Sequence, residues 1–318
     1  MIDIFNGDAD GLCALHQWRL AHPRQTELVT GVKRDIQLLH DVKVGGGDTV
    51  TVFDISFDSN RADALWLLDA GARLIWFDHH FAGALVEHPH FDAYIDTTAD
   101  TCTSLIVDGV LDGRYRAWAV AAACGDNLHA IARRRSDALG LSVMQFAALA
   151  ELGELLNYNG YGDSLADLHF HPAELYRQVA PYADPFDFIA GSPAFARLRA
   201  GFAADMAAAA DLQPCLERTH AAAWLLPDAA WARRVIGVLA NRLATAAPQR
   251  AHALLAPNGS GALTVSVRAP KERPAGADEF CRQFPTGGGR KAAAGINCLP
   301  AEGVERFLEA FAAYFALR

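Results

Sequence analysis

Long hydrophobic runs are missing from this 318-residue chain: no uninterrupted apolar stretch reaches the roughly 18 residues of a membrane span. The opening residues, Met1-Ile2-Asp3-Ile4-Phe5-Asn6-Gly7-Asp8, lack a basic segment and carry carboxylates at once, so neither secretion nor membrane insertion is expected. The six cysteines (Cys13, Cys102, Cys124, Cys215, Cys281, Cys298) form no CxxC pair, which argues against a zinc knuckle or a dense disulfide framework and fits a reducing cytoplasm. Positive charge is in deficit, with 28 Lys+Arg against 37 Asp+Glu and a net charge of -9. The surface as a whole therefore repels a polyanion, and a nucleic-acid substrate has to be short and enter a locally basic cleft. With 52% hydrophobic and 20% charged residues, the chain is too apolar for general disorder.

The length suits two domains. Up to about Asp126, short apolar runs at Met1 to Phe5, Leu28 to Val32, Thr49 to Ile55, Arg73 to Phe77 and Ala93 to Ile95 alternate with helical patterns. That rhythm predicts a parallel sheet covered by helices. Between two of the runs, Asn60 is a candidate helix N-cap ahead of an apolar stripe of Ala64, Leu65, Leu67 and Leu68. An Ala-rich helical region follows, broken at Asn157 to Gly162 and by prolines, with a linker candidate near Pro185 to Pro193. Strands at Ala221 to Leu226, Ala251 to Leu255 and Leu263 to Val267, the last two joined by a turn at Asn258-Gly259, predict a smaller α/β domain with a mixed sheet. The expected division is a parallel-sheet domain at 1–185, a helical linker at 186–215 and a smaller domain at 216–318.

The chemistry concentrates at strand ends. Asn6-Gly7-Asp8-Ala9-Asp10-Gly11 follows the first strand, Asp54 ends the third and Asp78-His79-His80 ends the fourth, where ligands bind in open α/β sheets. Asp126 follows the apolar stretch Trp118 to Ala123 and is expected at the same sheet edge. Carboxylates gathered this closely repel one another unless a cation neutralises them. Oxygen donors joined by imidazole suit manganese, with magnesium as the alternative ion, better than zinc. Two such ions would activate water against a phosphoester. An EF-hand reading of the Asp8 segment fails because Gln17 stands where the loop's closing Glu is required.

These motifs resemble the DHH phosphoesterases: Asp8-x-Asp10-Gly11, Asp54, Asp78-His79-His80, Gly125-Asp126 and Gly287-Gly288-Gly289-Arg290-Lys291 span nearly the whole chain. The combination is that of the branch with a DHH-associated C-terminal domain, related to RecJ exonucleases, nano-RNases and 3'-phosphoadenosine 5'-phosphate phosphatases. The resemblance implies a cytoplasmic manganese-dependent phosphoesterase acting on a short nucleotide or oligonucleotide, with a homodimer as a candidate assembly. It implies that Asp8, Asp10, Asp54, His79 and Asp126 ligate two ions, Asp54 bridging, while Asp78 and His80 orient ligands or face the phosphate. Arg268, Gly287, Gly288, Gly289 and Arg290 would grip the substrate. Two departures stand out. Many relatives place a His where this chain has Ile4, with Asn6 the nearest substitute, which leaves the first metal position loose, filled only with substrate, or selective for another ion. Arg290 replaces the His that follows the triple glycine.

Lesser features carry bland readings. Arg133-Arg134-Arg135 reads as a solvated helix face, His88-Pro89-His90 and His169-Phe170-His171 as loop histidines, and Trp18, Trp66, Trp76 and Trp118 as packing. Thr101-Cys102-Thr103-Ser104 reads as a helix N-cap with a structural role. Two rival functions remain beside the nucleotide phosphoesterase: a polyphosphate or phosphoanhydride hydrolase, and a catalytically weak nucleotide-binding regulator.

Overall fold

The computed structural model describes Met1–Ala316 and divides into two units, one of Met1–Gly160 and Leu168–Ala200, the other of Tyr161–Asp167 and the chain from Gly201 onward. In the first unit the strands β1 (Ile2–Phe5), β2 (Glu27–Thr30), β3 (Thr49–Phe53), β4 (Arg73–Asp78) and β5 (Phe91–Ile95) form one parallel sheet in the order β2-β1-β3-β4-β5. β1 and β3 are central and covered on both faces, which is why they read as continuous apolar runs rather than alternating ones. Asp3 is the exception in β1; its buried carboxylate accepts Arg19 Nε at 2.7 Å. The chain leaves β1 for β2 on one side and places β3 on the other, so a crevice opens at the carboxyl ends of β1 and β3.

Among the described residues, nine helices belong to this region: α1 (Ala9–Ala21), α2 (Arg61–Asp69), α3 (Thr103–Val110), α4 (Arg116–Gly125), α5 (His129–Ala138), α6 (Val143–Gly160), α7 (Pro172–Val179), α8 (Pro185–Gly191) and α9 (Pro193–Ala209). The chain passes from one unit to the other within α9. Pro172, Pro185 and Pro193 each occupy a first helical position, where the missing N–H costs nothing. The 185–193 breaks are thus helix starts.

Three local expectations give way to tertiary packing. Asn60 stands at the N-cap of α2 but makes no capping bond, because its amide instead donates to Ile36 O at 2.6 Å and Ser56 O at 3.0 Å. On α2, Ala64, Leu67 and Leu68 share the buried face, whereas Leu65 and Trp66 fall off it and Trp66 is 56% exposed. The helix break expected at Asn157 to Gly162 comes late in that segment: α6 runs to Gly160, its last turn buried and Asn159 held by the Phe170 backbone at 2.9 and 3.0 Å.

The second unit builds a mixed sheet from β6 (Leu216–Glu217), β7 (Ala221–Leu225), β8 (Ala251–Pro257), β9 (Leu263–Arg268), β10 (Gly287–Gly289) and β11 (Ala293–Leu299), ordered β10-β11-β9-β8-β7-β6. Only β7 and β8 run parallel, joined through α10 (Ala230–Ala246); β8 and β9 form the hairpin at Asn258-Gly259. α11 (Ala277–Cys281) and α12 (Val304–Ala316) complete it, closing a core of Phe280, Phe307, Phe311 and Phe315. The architecture is α/β throughout, a parallel-sheet unit and a smaller one with a mixed sheet. Among the described residues no helix is long and apolar enough to cross a membrane, and all six cysteines are free.

Candidate metal centre

The turn after β1 carries two carboxylates with different duties. Asp8 is the N-cap of α1: Oδ1 accepts the Asp10 and Gly11 N–H groups at 3.0 and 3.1 Å, which satisfies donors the first helical turn leaves open. Its Oδ2 accepts a short hydrogen bond from Lys33 Nζ. Asp10, fully buried, turns to a second helix and accepts Thr103 N at 2.7 Å and Ser104 N at 2.8 Å at the start of α3. Cys102, at the N-cap of α3, makes no capping bond, so an acid from another element does that work. The Thr101–Ser104 segment is therefore part of the site's framework.

Asp54 leaves β3 with φ 59°, a left-handed conformation uncommon outside glycine and asparagine, and is only 3% exposed. Thr103 Oγ1 donates to its Oδ1 at 3.1 Å. β4 ends on Asp78, whose Oδ1 meets His80 Nδ1 at 2.7 Å. Between them, His79 Nδ1 lies 3.2 Å from Thr101 O, an atom that only accepts, so Nδ1 keeps a proton and Nε2 is the nitrogen turned to the acids, free to ligate once an ion displaces its proton. His79 Nε2 stands 3.4 Å from Asp54 Oδ1 and 3.7 Å from Asp126 Oδ2.

Asp126 arrives from a helix end, not from the sheet edge where the sequence suggested it. It is the C-cap of α4, brought in because Gly125 lets that helix approach α1 and α6: a Cβ there would lie 2.6 Å from Ala9 Cβ and 2.9 Å from Gly153 O. A carboxylate at the negative end of a helix is unfavourable unless a cation compensates it.

The electrostatics have one sign. Burial first, then Asp126 and Asp8, raise the Asp10 carboxyl above its ordinary value; burial first, then Asp10 and Asp8, raise Asp54 well above its own. Burial would lower His79, but Asp54, Asp10 and Asp126 outweigh it and lift the imidazole to about 10. His80 is likewise raised by Asp78 and Asp54 against its burial. Asp8 is the exception: burial pushes it up, yet the Lys33 charge and hydrogen bond and the N–H groups of Gly11 and Asp10 hold it below its ordinary value. Burial first, then the nearby acids, raises Cys13 and Cys102 well above theirs.

Two sets of donor atoms, Asp10 with His79 and Asp126, and Asp54 with His79 and His80, each gather within 4.8 Å. Hard oxygens, one shared imidazole and an excess of acid fit a divalent cation. Two buried acceptors, Asn6 Oδ1 and Asp78 Oδ2, have no hydrogen-bond partner, which fits a polar occupant near these turns. The structure thus brings Asp8, Asp10, Asp54, Asp78, His79, His80 and Asp126 together, with Asn6 alongside, its amide reaching Lys33 O at 3.4 Å. Lys33 and Asn157 join them without having been singled out as site residues, and Thr103 does so from the segment read as a structural N-cap. The signal for Lys33 was its place just after β2, in the row of loops that carries the acids.

The C-terminal candidates belong to the second unit. Arg268 ends β9 and donates to Asn241 Oδ1 at 2.6 Å, Ser266 Oγ at 2.9 Å, Val267 O at 3.1 Å and Gly237 O at 3.4 Å, none of them a carboxylate. Burial lowers its pKa. Gly287, Gly288 and Gly289 form the edge strand β10 rather than an open loop. A Cβ at Gly287 would lie 1.8 Å from Cys281 O, so packing alone demands that glycine, while Gly288 faces open space. Arg290 is exposed and its backbone closes the β10–β11 turn with Ala293.

Other histidines and an arginine that the sequence brought into question are engaged elsewhere. His169 Nε2 meets Tyr158 OH at 2.7 Å, His171 caps α7, His88 bonds its own loop, and Arg133 pairs with Asp137 at 3.0 Å.

No family model matches the sequence, and no curated protein matches it. Among solved structures, the chain is similar to an exonuclease RecJ bound to manganese, at 18% identity and a TM-score of 0.61, covering 99% of this chain and 89% of that one. It is similar to RecJ from Thermus thermophilus in complex with Mn2+, at 19% identity and a TM-score of 0.65, covering 99% of this chain but 52% of that one. It is also similar to the pGpG-specific phosphodiesterase PggH from Vibrio cholerae, at 13% identity and a TM-score of 0.61, covering 100% of this chain and 99% of that one. At these identities the likeness is one of fold, and it agrees with the α/β fold that the resemblance drawn from the motifs implies.

Proposed function

We propose that this chain is a metal-dependent phosphoesterase that hydrolyses short oligonucleotides, dinucleotides or nucleotide phosphates, with manganese as its ion. The observation that carries the reading is the meeting of Asp10, Asp54, His79 and Asp126 at the carboxyl end of a parallel sheet, each held by backbone or side-chain contacts and short of positive charge. Neighbours of the same fold include proteins described as a manganese-bound exonuclease and as a pGpG-specific phosphodiesterase, which supports a nucleotide phosphoester as substrate.

When bound, divalent ions polarise a phosphoryl oxygen and lower the pKa of a water. The protein's part is placement. The α3 backbone fixes both oxygens of Asp10, Thr103 steadies Asp54, and the Thr101 carbonyl selects the His79 tautomer that offers Nε2. His80 is anchored through Nδ1 on Asp78 and its side chain is 41% exposed. Anchored in this way, it is placed to orient the neighbouring ligands or to face the phosphate. Arg268, a guanidinium with only neutral partners, supports recognition of a terminal phosphate, which it can meet bidentately.

The test is a panel of dinucleotides, short oligonucleotides, a 3'-phosphorylated nucleotide and polyphosphate, offered with Mn2+ and followed by product mass. Turnover of the short nucleotide substrates, lost in His79→Ala, is expected. Preference for polyphosphate would move the reading to phosphoanhydride hydrolysis, and no turnover of any substrate would remove the catalytic claim.

A further inference from the structure

Asp8 follows β1 and Asp10 lies two residues on, yet only Asp10 enters a grouping of donor atoms close enough to share an ion. The carboxylate oxygens of Asp8 are engaged otherwise: Oδ1 holds the first turn of α1 and Oδ2 holds the Lys33 ammonium. That ammonium also donates to Asn157 Oδ1 at 3.1 Å and to Asp126 Oδ1 at 3.5 Å. A protonated lysine has three donors, and three acceptors from three different elements meet them.

Asp126 shows how the two cationic positions relate. Its Oδ1 faces Lys33, whereas its Oδ2 lies 3.7 Å from His79 Nε2, in the cluster with Asp10. One carboxylate thus spans an ammonium and a metal-sized cluster, the geometry a bridging ligand takes between two positive charges. Lys33 is built into place. Its N–H donates to Gly160 O at 2.8 Å, its carbonyl accepts the Asn6 amide at 3.4 Å, and its side chain is 25% exposed. Gly160 ends the same helix that carries Asn157. The β1 side offers a divalent ion little to compete with: Ile4 is fully buried in the apolar core, and the one open acceptor, Asn6 Oδ1, is a neutral amide oxygen.

We propose that Lys33 is a resident cation of the centre: its ammonium takes one of two cation positions, so that the protein binds a single divalent ion, held by Asp10, Asp54, His79 and Asp126. This rests on reading the cluster as a divalent-cation site. A lysine is a compact, strongly hydrated point charge able to meet a phosphate oxygen, so the exchange keeps positive charge beside the substrate without a second metal. It also removes the dependence of that position on free metal concentration.

The test counts ions. Metal-free protein is dialysed to equilibrium against Mn2+, bound manganese per chain is measured by elemental mass spectrometry, and electron paramagnetic resonance reports whether ions are isolated or exchange-coupled. The wild type is expected to hold one isolated ion, Lys33→Ala to gain a second with the coupled signature, and Lys33→Arg, which keeps the charge, to stay at one. Circular dichroism checks that each variant is folded; the wild-type count and spectrum need no variant. Two coupled ions in the wild type would overturn the proposal and leave the phosphoesterase reading intact. One ion in both the wild type and folded Lys33→Ala would also overturn it, because the ammonium would then hold no metal position. No bound ion in any form would remove the metal centre itself and the proposal with it.

Discussion

Neutralising Asp54 should stabilise the metal-free protein while weakening the metal-loaded one. Around the crevice stand five carboxylates, Asp8, Asp10, Asp54, Asp78 and Asp126, against at most three positive groups, Lys33, His79 and His80. Negative charge is left in excess. Asp54 bears the cost most plainly, since burial and the neighbouring acids raise its pKa well above the ordinary value. In Asp54→Asn the side-chain oxygen still accepts from Thr103 Oγ1, and asparagine tolerates the left-handed backbone at φ 59° at least as well as aspartate. Relieving such a functional charge should add about 1 to 2 kcal/mol, in the range of stabilising substitutions at sites held for activity rather than stability. For a protein of this size that is a rise of about 2 to 8 °C in melting temperature. The assay is thermal unfolding of wild type and Asp54→Asn in chelator and again in saturating Mn2+. The wild type should melt lower than the variant in chelator and gain far more from manganese. A variant that melts lower in chelator, or that gains equally from the ion, would refute the view that these acids are kept for a cation.

Other outcomes can be checked independently. His16, buried and bonded to Tyr182 O at 2.8 Å, has its pKa lowered by burial from 6.5 to about 4. The unfolded chain therefore binds its proton first, and stability is lost as pH falls from 6.5 to about 4, by about 3 kcal/mol in full. Urea unfolding across that window should show a steeper acid loss in wild type than in His16→Gln; parallel curves would contradict it. Phe311→Ala should cost about 3 to 5 kcal/mol, because the ring is fully buried beside Phe280, Phe307 and Phe315, and should leave manganese binding unchanged. Arg268→Gln should weaken binding of a short phosphorylated oligonucleotide by about 10- to 100-fold, the worth of one charge-assisted contact, without altering the manganese count; calorimetry reads both.

The parallel sheet was legible because its central strands are covered on both faces and so appear as unbroken apolar runs, each stopping on an acid. Asp126 was readable as a residue but not as to its origin: an apolar stretch of Trp118 to Ala123 fits a buried helix as well as a strand, and periodicity does not separate them. Asn157-Tyr158-Asn159-Gly160 looks like a helix stop, yet buried amide bonds to the Phe170 backbone carry α6 through it. Asn157 left no pattern and Lys33 only its place just after β2, since each acts through a contact made only when distant loops meet. The triple glycine suggested a phosphate loop, whereas Gly287 answers first to the carbonyl of Cys281, a constraint that no local pattern records.

The most direct measurement is anomalous diffraction at the manganese edge from crystals grown with Mn2+. A peak within ligating distance of Asp10, Asp54, His79 and Asp126 is predicted, with the Lys33 ammonium still between Asp8, Asn157 and Asp126. A peak elsewhere, or none in that crevice, would contradict the account.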